Sequence, residues 1–261
     1  MTGHPATLRC VSSATLTGTD TSGVKASAHP CYILHHRPYR ETSLILDVFS
    51  REHGRVSLVA RGARRASNRQ RPLFQLLQRL DVSWTMRGEM GTLTQVDASS
   101  APVALAGESV IAAFYMNELL VRLLHRHEPH PPLFDAYEHA LAGLQARAGH
   151  EATLRIFEKR LLQALGYGLI LDREVVNGAP IEAARHYFYL PEQGPGPEPG
   201  AGTECAKISG ATLVALHREC LEGPAQLKEA KLLLRMILSG HLGARPLASR
   251  NLYRKYLGTS A

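Results

Sequence analysis

Two hydrophobic periods divide the chain. From Cys31 onward, apolar residues fall in short runs of period two separated by turn signals. The runs are Tyr32 to His35, Ser43 to Phe49 with Leu44, Leu46 and Val48 on one face, and Arg55 to Ala60 with Val56, Leu58 and Ala60 inward. Leu76 to Trp84 and Gly91 to Val96 complete the set, and His53-Gly54 marks a turn. Alternation of this kind belongs to half-buried strands. Five of them so close together suit a small closed barrel of the OB type, where closure removes exposed strand edges.

After Pro102 the period lengthens to about 3.6, the helical value. Residues 107 to 126 set Val110, Phe114, Val121 and Leu124 on one stripe, and residues 151 to 165 do the same with Leu154, Phe157, Leu161 and Leu165. Pro131-Pro132 is a start signal and Gly166-Tyr167-Gly168 a stop. Residues 172 to 207 lose periodicity and include a run from Gly194 to Gly200 rich in glycine and proline, which reads as a loop insertion. Helical pattern returns over Ile208 to Glu219, over Gln226 to Leu238 with Leu227, Ala230, Leu234 and Ile237 in line, and over Ser249 to Leu257, with Ser249 as N-cap. Residues 1 to 27, rich in Thr, Ser, Ala and Gly, read as a disordered extension. The fold expected is therefore α+β, with an OB-fold β-barrel over 28–103 and a mostly α-helical domain over 104–261 carrying the insertion at 172–207.

Composition changes this picture little. With 44% hydrophobic and 20% charged residues the chain is ordinary globular protein. No apolar run approaches the roughly 18 to 20 residues of a membrane span, and the start lacks the pattern of a signal peptide, so a cytoplasmic location is expected. Cys10, Cys31, Cys205 and Cys220 form no CxxC pair and are expected to be reduced and structural.

Charge changes it more. Residues 29 to 87 carry 11 Lys plus Arg against 4 Asp plus Glu, which equals the whole net charge of +7. Residues 105 to 227 are net acidic at −5, and residues 228 to 261 hold seven basic side chains against Glu229 alone. Such patches attract polyanions, either nucleic acid or an acidic protein segment. The sharpest feature is Arg61-Gly62-Ala63-Arg64-Arg65-Ala66-Ser67-Asn68-Arg69-Gln70-Arg71, five arginines in eleven residues with no acid. Directly after a predicted strand, these guanidinium groups would project from a barrel loop and fork onto phosphate oxygens. Contacts of that kind carry no base information and are salt-sensitive. An uncommitted basic loop is the alternative, since 24 Arg to 6 Lys points to a GC-rich genome. Tyr32, Tyr39, Phe49 and Trp84 are candidate stacking platforms for single strands, with core packing as the other reading.

His35-His36 and His125-Arg126-His127 give no ligand set for a metal, and no P-loop, Rossmann fingerprint, nucleophile elbow or paired carboxylates stand out. No cofactor and no catalysis are expected.

Several blocks, in order, carry a resemblance. They are Arg37-Pro38-Tyr39-Arg40-Glu41-Thr42-Ser43-Leu44 with Asp47-Val48-Phe49, then Gly54-Arg55-Val56, then Leu58-Val59-Ala60-Arg61-Gly62-Ala63-Arg64. Tyr115-Met116-Asn117-Glu118-Leu119-Leu120, Phe157-Glu158 through Leu165-Gly166-Tyr167-Gly168, and Ala230-Lys231 with Arg235-Met236 follow, and His241 through Arg250 closes the series. Over Cys31 to Leu257 the chain resembles the bacterial recombination and repair family RecO. The resemblance implies binding to single- and double-stranded DNA, annealing of complementary strands, and partnership with RecR in loading the recombinase RecA onto DNA coated by single-strand DNA-binding protein. It places DNA contacts at Arg55, Arg61, Arg64 and Arg65, with Arg69 and Arg71 added on charge, and Arg37 is a further DNA-binding candidate. For the acidic C-terminal tail of single-strand DNA-binding protein, Leu154, Arg155 and Phe157 combine a cation with apolar surface. Core packing with Arg155 merely solvated is the alternative there. Many relatives carry a four-cysteine zinc module, whereas the matching stretch here offers Asp172 and Cys205, so a branch without metal is expected. The rival functional reading is an interaction scaffold that holds acidic protein tails, with DNA contact incidental.

Overall fold

The alternating segments form five strands, β1 (His29–Tyr39), β2 (Ser43–Ser50), β3 (Gly54–Ala60), β4 (Arg79–Arg87) and β5 (Met90–Ala98). They close in the order β1-β2-β3-β5-β4, with β1 returning to pair with β4. Every neighbour pair is antiparallel except β3 with β5. This is the OB type of barrel. The computed structural model describes residues 28–146, 149–200 and 202–259. The expected extension over 1–27 lies outside them.

The inward positions match the alternation in the sequence: Leu46, Val48, Val56 and Leu58 are packed with Leu80 and Trp84 in one core. On β2, however, Ile45 and Phe49 point the other way and are buried too. That outer face of β1 and β2 lies under the helices, so Tyr32, Leu34 and Phe49 join the core of the helical part instead. β4 begins three residues later than the apolar run suggests, because Leu77 takes φ +66 and breaks the extended backbone before Arg79.

The helical part contains α1 (Glu108–Leu123), α2 (Pro131–Gln145), α3 (His150–Ala164), α4 (Gly210–His217), α5 (Gly223–Leu242) and α6 (Ala248–Thr259). Pro131 sits at the start of α2, where its missing N–H leaves no helical bond unmade. Two helical expectations need correction. On α1 the fully buried stripe is Ile111, Ala112, Met116, Leu119 and Leu120, while Val110, Phe114 and Val121 lie on its half-buried flank. The larger side chains suggested the wrong face, because Ala112, Ala113 and Asn117 allow closer approach of neighbouring elements. Ser249 is not an N-cap but lies inside α6. The Glu118 carboxylate of α1 accepts from the backbone N–H groups of Ala248 and Ser249 at 2.8 and 2.9 Å and from the Ser249 hydroxyl at 2.7 Å. A carboxylate 130 residues away thus satisfies donors that open the helix.

Residues 172–207 are not a plain loop insertion. They hold β6 (His186–Leu190), β7 (Gly194–Gly196) and the first half of β8 (Ala206–Ser209), paired in the order β7-β6-β8. Pro195 is tolerated because β7 is an edge strand and needs no second row of donors. Ser209 ends β8 and caps α4, its hydroxyl accepting from the Thr212 N–H at 3.2 Å, so the expected helix from Ile208 starts at Gly210 instead.

The two parts meet through polar groups as well as core. Arg51 forks onto Asp135 of α2 with two bonds of 3.0 Å, and Arg79 pairs with Glu138 at 3.0 Å. Asn117 donates to the Leu34 carbonyl at 3.1 Å and accepts from the buried Tyr137 hydroxyl at 2.6 Å. Cys31 is buried in the barrel and its thiol is pushed up to about 12 by that burial, as befits a structural cysteine; Cys220 is exposed. No helix among the described residues is long and apolar enough to cross a membrane.

Candidate nucleic-acid interface at one end of the barrel

Strand register assigns each loop to an end of the barrel. Tyr39 pairs with Ser43 and Leu44 with Ala60, so the β1–β2 turn and the exit from β3 share one end. Cys31 pairs with Ser50 and Ser50 with Gly54, which puts the β2–β3 turn at the other, roughly 20 Å away along β3.

The arginine run leaves β3 at the first end and is folded rather than slack. Ala63 is buried and anchors it to the barrel core. The Arg64 N–H donates to the Thr42 carbonyl at 2.8 Å, tying the run to the β1–β2 turn. Gly62 takes φ +66, and its carbonyl accepts from the Arg65 N–H and from the Asn68 side chain, both at 3.1 Å. Asn68 accepts in turn from the Gln70 N–H at 2.9 Å. Pro72 lies within a short 3-10 turn over Arg71–Leu73, and Phe74 returns to the core. A small hydrogen-bonded frame therefore points its long side chains outward.

Arg61, Arg64, Arg65, Arg69 and Arg71 are all exposed, as is Arg37 on β1. None of the six has a salt-bridge partner among the described residues. Arg40 joins them from the β1–β2 turn, exposed and lying over the half-buried Tyr39 ring at 5.2 Å. Sequence reasoning passed over Arg40 and Asn68. The one stood apart from the run, and the other organises the frame through bonds visible only once the loop is folded. A signal was available in Tyr39-Arg40, a cation beside an aromatic between two predicted strands.

Arg55 does not belong to this group. It sits at the opposite end of β3, its Nε buried without a hydrogen-bond partner, and its guanidinium is held below its usual value by burial and by Arg126 against the pull of Asp47. Three of the four aromatic candidates are core: Tyr32 and Phe49 pack against Phe134 and Tyr137 of α2, and Trp84 lies inside the barrel. Tyr39 alone remains on the surface.

The residues expected to hold an acidic tail are also placed otherwise. Arg155 is only 6% exposed and pairs at 3.0 Å with Glu158, which is 1% exposed and accepts from the Tyr115 hydroxyl at 2.6 Å. Burial raises the Glu158 carboxyl above its usual range although Arg155 and Tyr115 oppose it. Phe157 is core and Leu154 half-buried against it. In place of a surface groove there is a buried ion pair within the helical core. Near Asp172 and Cys205 no metal-ligating group assembles among the described residues; the one such group, His29 with Glu52 and His53, lies at the far end of the barrel.

A closed OB-type barrel that presents an exposed, arginine-rich frame at one end and is backed by a helical body defines a class: an OB-barrel protein with an appended helical domain. Residues 27–101 match the family Recombination protein O N terminal, and residues 105–251 match Recombination protein O C terminal. The chain belongs to the RecO family. It is similar to "DNA repair protein RecO" of Nitrosococcus oceani, 48% identical over 223 residues that cover 85% of this chain and 91% of that one. The protein of the same name from Alkalilimnicola ehrlichii is 45% identical over 91% of this chain and 95% of its own, and that from Nitrosospira multiformis 38% over 89% and 96%. Its role therefore lies in DNA repair.

Proposed function

We propose that the chain is a cytoplasmic recombination and repair mediator that binds single- and double-stranded DNA at the arginine-bearing end of its barrel and anneals complementary strands. With RecR it helps load RecA onto DNA coated by single-strand DNA-binding protein. The observation that carries the reading is the frame of Arg61, Arg64, Arg65, Arg69 and Arg71, exposed and without acidic partners among the described residues, beside Arg37 and Arg40. Annealing needs no bond chemistry. It needs phosphate repulsion between two strands to be offset while base edges stay free, and guanidinium contacts to backbone oxygens do that. No enzymatic step is assigned.

The partner functions are proposed on the resemblance to the RecO family alone. The acidic tail of single-strand DNA-binding protein would have to be met elsewhere on the helical body than at Leu154, Arg155 and Phe157, because Arg155 is already committed to Glu158.

The test is the rate of duplex formation from complementary oligonucleotides against salt. At low salt the protein should accelerate annealing, and binding of single strands should weaken with a log–log slope of up to about −5 if all seven arginines meet phosphates. A flat slope with no acceleration would favour the scaffold reading, in which the same arginines hold acidic protein segments.

A further inference from the structure

The end of the barrel away from the arginines carries a second constellation. His29 opens β1 and His53 lies in the β2–β3 turn, with their Nε2 atoms 3.2 Å apart and their rings crossed at 83°. Glu52 accepts from Nδ1 of His29 at 2.5 Å. One ligating atom from each of the three residues lies within 4.8 Å of the others. Trp84 flanks both rings, 5.5 Å from His29 and 5.1 Å from His53 between centroids.

We propose that His29 and His53 bind a borderline divalent transition ion such as Zn²⁺ between their Nε2 atoms, with Glu52 orienting His29 from behind. Two nitrogens at the usual zinc distance on a tetrahedral ion stand about 3.3 Å apart, close to the separation found here. A carboxylate on the other ring nitrogen is the usual outer partner of a ligating histidine, since it fixes which nitrogen keeps its proton. Imidazole pairs favour zinc, nickel and copper over magnesium, which prefers oxygen.

Protons balance simply. With Nδ1–H of His29 held by Glu52, the Nε2 lone pair of His29 accepts the proton of His53 Nε2. The ion takes the place of that bridging proton, which moves to Nδ1 of His53, so both ligands bind neutral. The ion would tie the first residue of β1 to the β2–β3 turn, and water would fill its remaining positions on the side of the half-exposed Glu52.

Trp84 is the only tryptophan in the chain and touches both ligands, so it reports directly on the site. The full chain, stripped with chelator, should show saturable quenching of tryptophan fluorescence by Ni²⁺ or Cu²⁺, reversed by chelator, and a rise in Tm with Zn²⁺ but not with Mg²⁺. The Co²⁺ complex should lack a thiolate charge-transfer band, which separates this site from binding at Cys10, Cys205 or Cys220. Glu52→Gln should weaken binding about tenfold, and His29→Gln with His53→Gln should abolish it. Because imidazoles are the ligands, binding should fade as the pH falls below about 6. An unchanged fluorescence and Tm in the wild type, or equal affinity in the folded double variant, would overturn the site. Should that variant not fold, the imidazole ¹⁵N resonances of the wild type decide instead, since Zn²⁺ must shift two Nε2 signals. Oligonucleotide affinity at fixed ionic strength should be the same with and without Zn²⁺, because the arginine frame is at the other end of β3.

Discussion

Arg64 and Arg65 at the barrel rim and Arg51 and Arg79 at its seam with the helices belong to the same basic segment, yet they face opposite tasks. Among the described residues the rim pair has no acidic neighbour in salt-bridge range, whereas Arg51 forks onto Asp135 and Arg79 meets Glu138. In the helical body the contrast sharpens: Arg155 is buried on Glu158, Lys159 and Arg160 share Glu219, and Lys231 holds Glu151. Where a cation's partner is already in the fold, the charge contributes to architecture. Where none stands within reach among the described residues, the charge is left to solvent and open to a ligand. Net charge along the sequence cannot separate the two, because pairing joins residues 84 apart, as from Arg51 to Asp135.

The comparison breaks first at its most buried member. Arg155→Ala leaves Glu158 in the core with only the Tyr115 hydroxyl, and removing one partner of such a pair costs about 3–5 kcal/mol. Chemical denaturation should show that loss without any change in the salt dependence of DNA binding. A variant that melts like the wild type but no longer takes an acidic peptide would mean that Arg155 works as a surface cation after all.

Next comes the rim. Arg64→Glu with Arg65→Glu reverses two unpaired charges, and oligonucleotide affinity at moderate salt should drop about 10- to 100-fold, or roughly 1.4–2.7 kcal/mol. Stability should move by less than about 0.5 kcal/mol, as for exposed positions with no native partner. Unchanged affinity, measured by fluorescence anisotropy, would remove the frame from the interface.

What could be read in advance follows the same division. The barrel strands were legible because alternation at Leu44, Leu46 and Val48 is local and faces one core, and the periodic helices because their stripes repeat every turn. The small sheet over His186–Ser209 was not: glycine and proline hid an edge strand, and its pairing partners come from beyond the turn. In the candidate site the arginine run was plain in the sequence, while its orientation by Asn68 and Thr42, the remoteness of Arg55 and the burial of Arg155 all depend on contacts made across the fold. His29 and His53 escaped notice for the same reason, since 24 residues of no recognisable ligand spacing separate them.

A smaller effect is expected where a carboxylate opens a helix. Glu118→Ala should cost about 1 kcal/mol, in the range of lost N-caps, and should show as faster hydrogen exchange at Ala248 and Ser249. Although burial pushes Glu118 up, hydrogen bonds from Ser249 and Ala248 hold it below the ordinary value of 4.5. A depressed carboxyl contributes stability that is present above 4.5 and lost as the pH falls through the folded value. Wild type and variant should therefore differ at neutral pH and converge in acid. If α6 frays equally in both at neutral pH, packing rather than the carboxylate holds it.

The seam pair should show the least. Asp135 is held below its ordinary value of 3.8, first by the Arg51 hydrogen bonds and then by its charge, so its contribution is present above 3.8 and fades as the pH falls through the lowered value. Both side chains are more than a third exposed, and water and salt screen such pairs heavily. Asp135→Asn should therefore lower Tm less than Glu118→Ala does, and added salt should narrow the gap to wild type. It also frees Arg51 without moving it to the rim, so oligonucleotide affinity should rise only by the change in overall charge. A gain as large as the loss from reversing Arg64 and Arg65 would mean that any unpaired arginine on the barrel serves, and that the folded frame around Asn68 adds nothing to recognition.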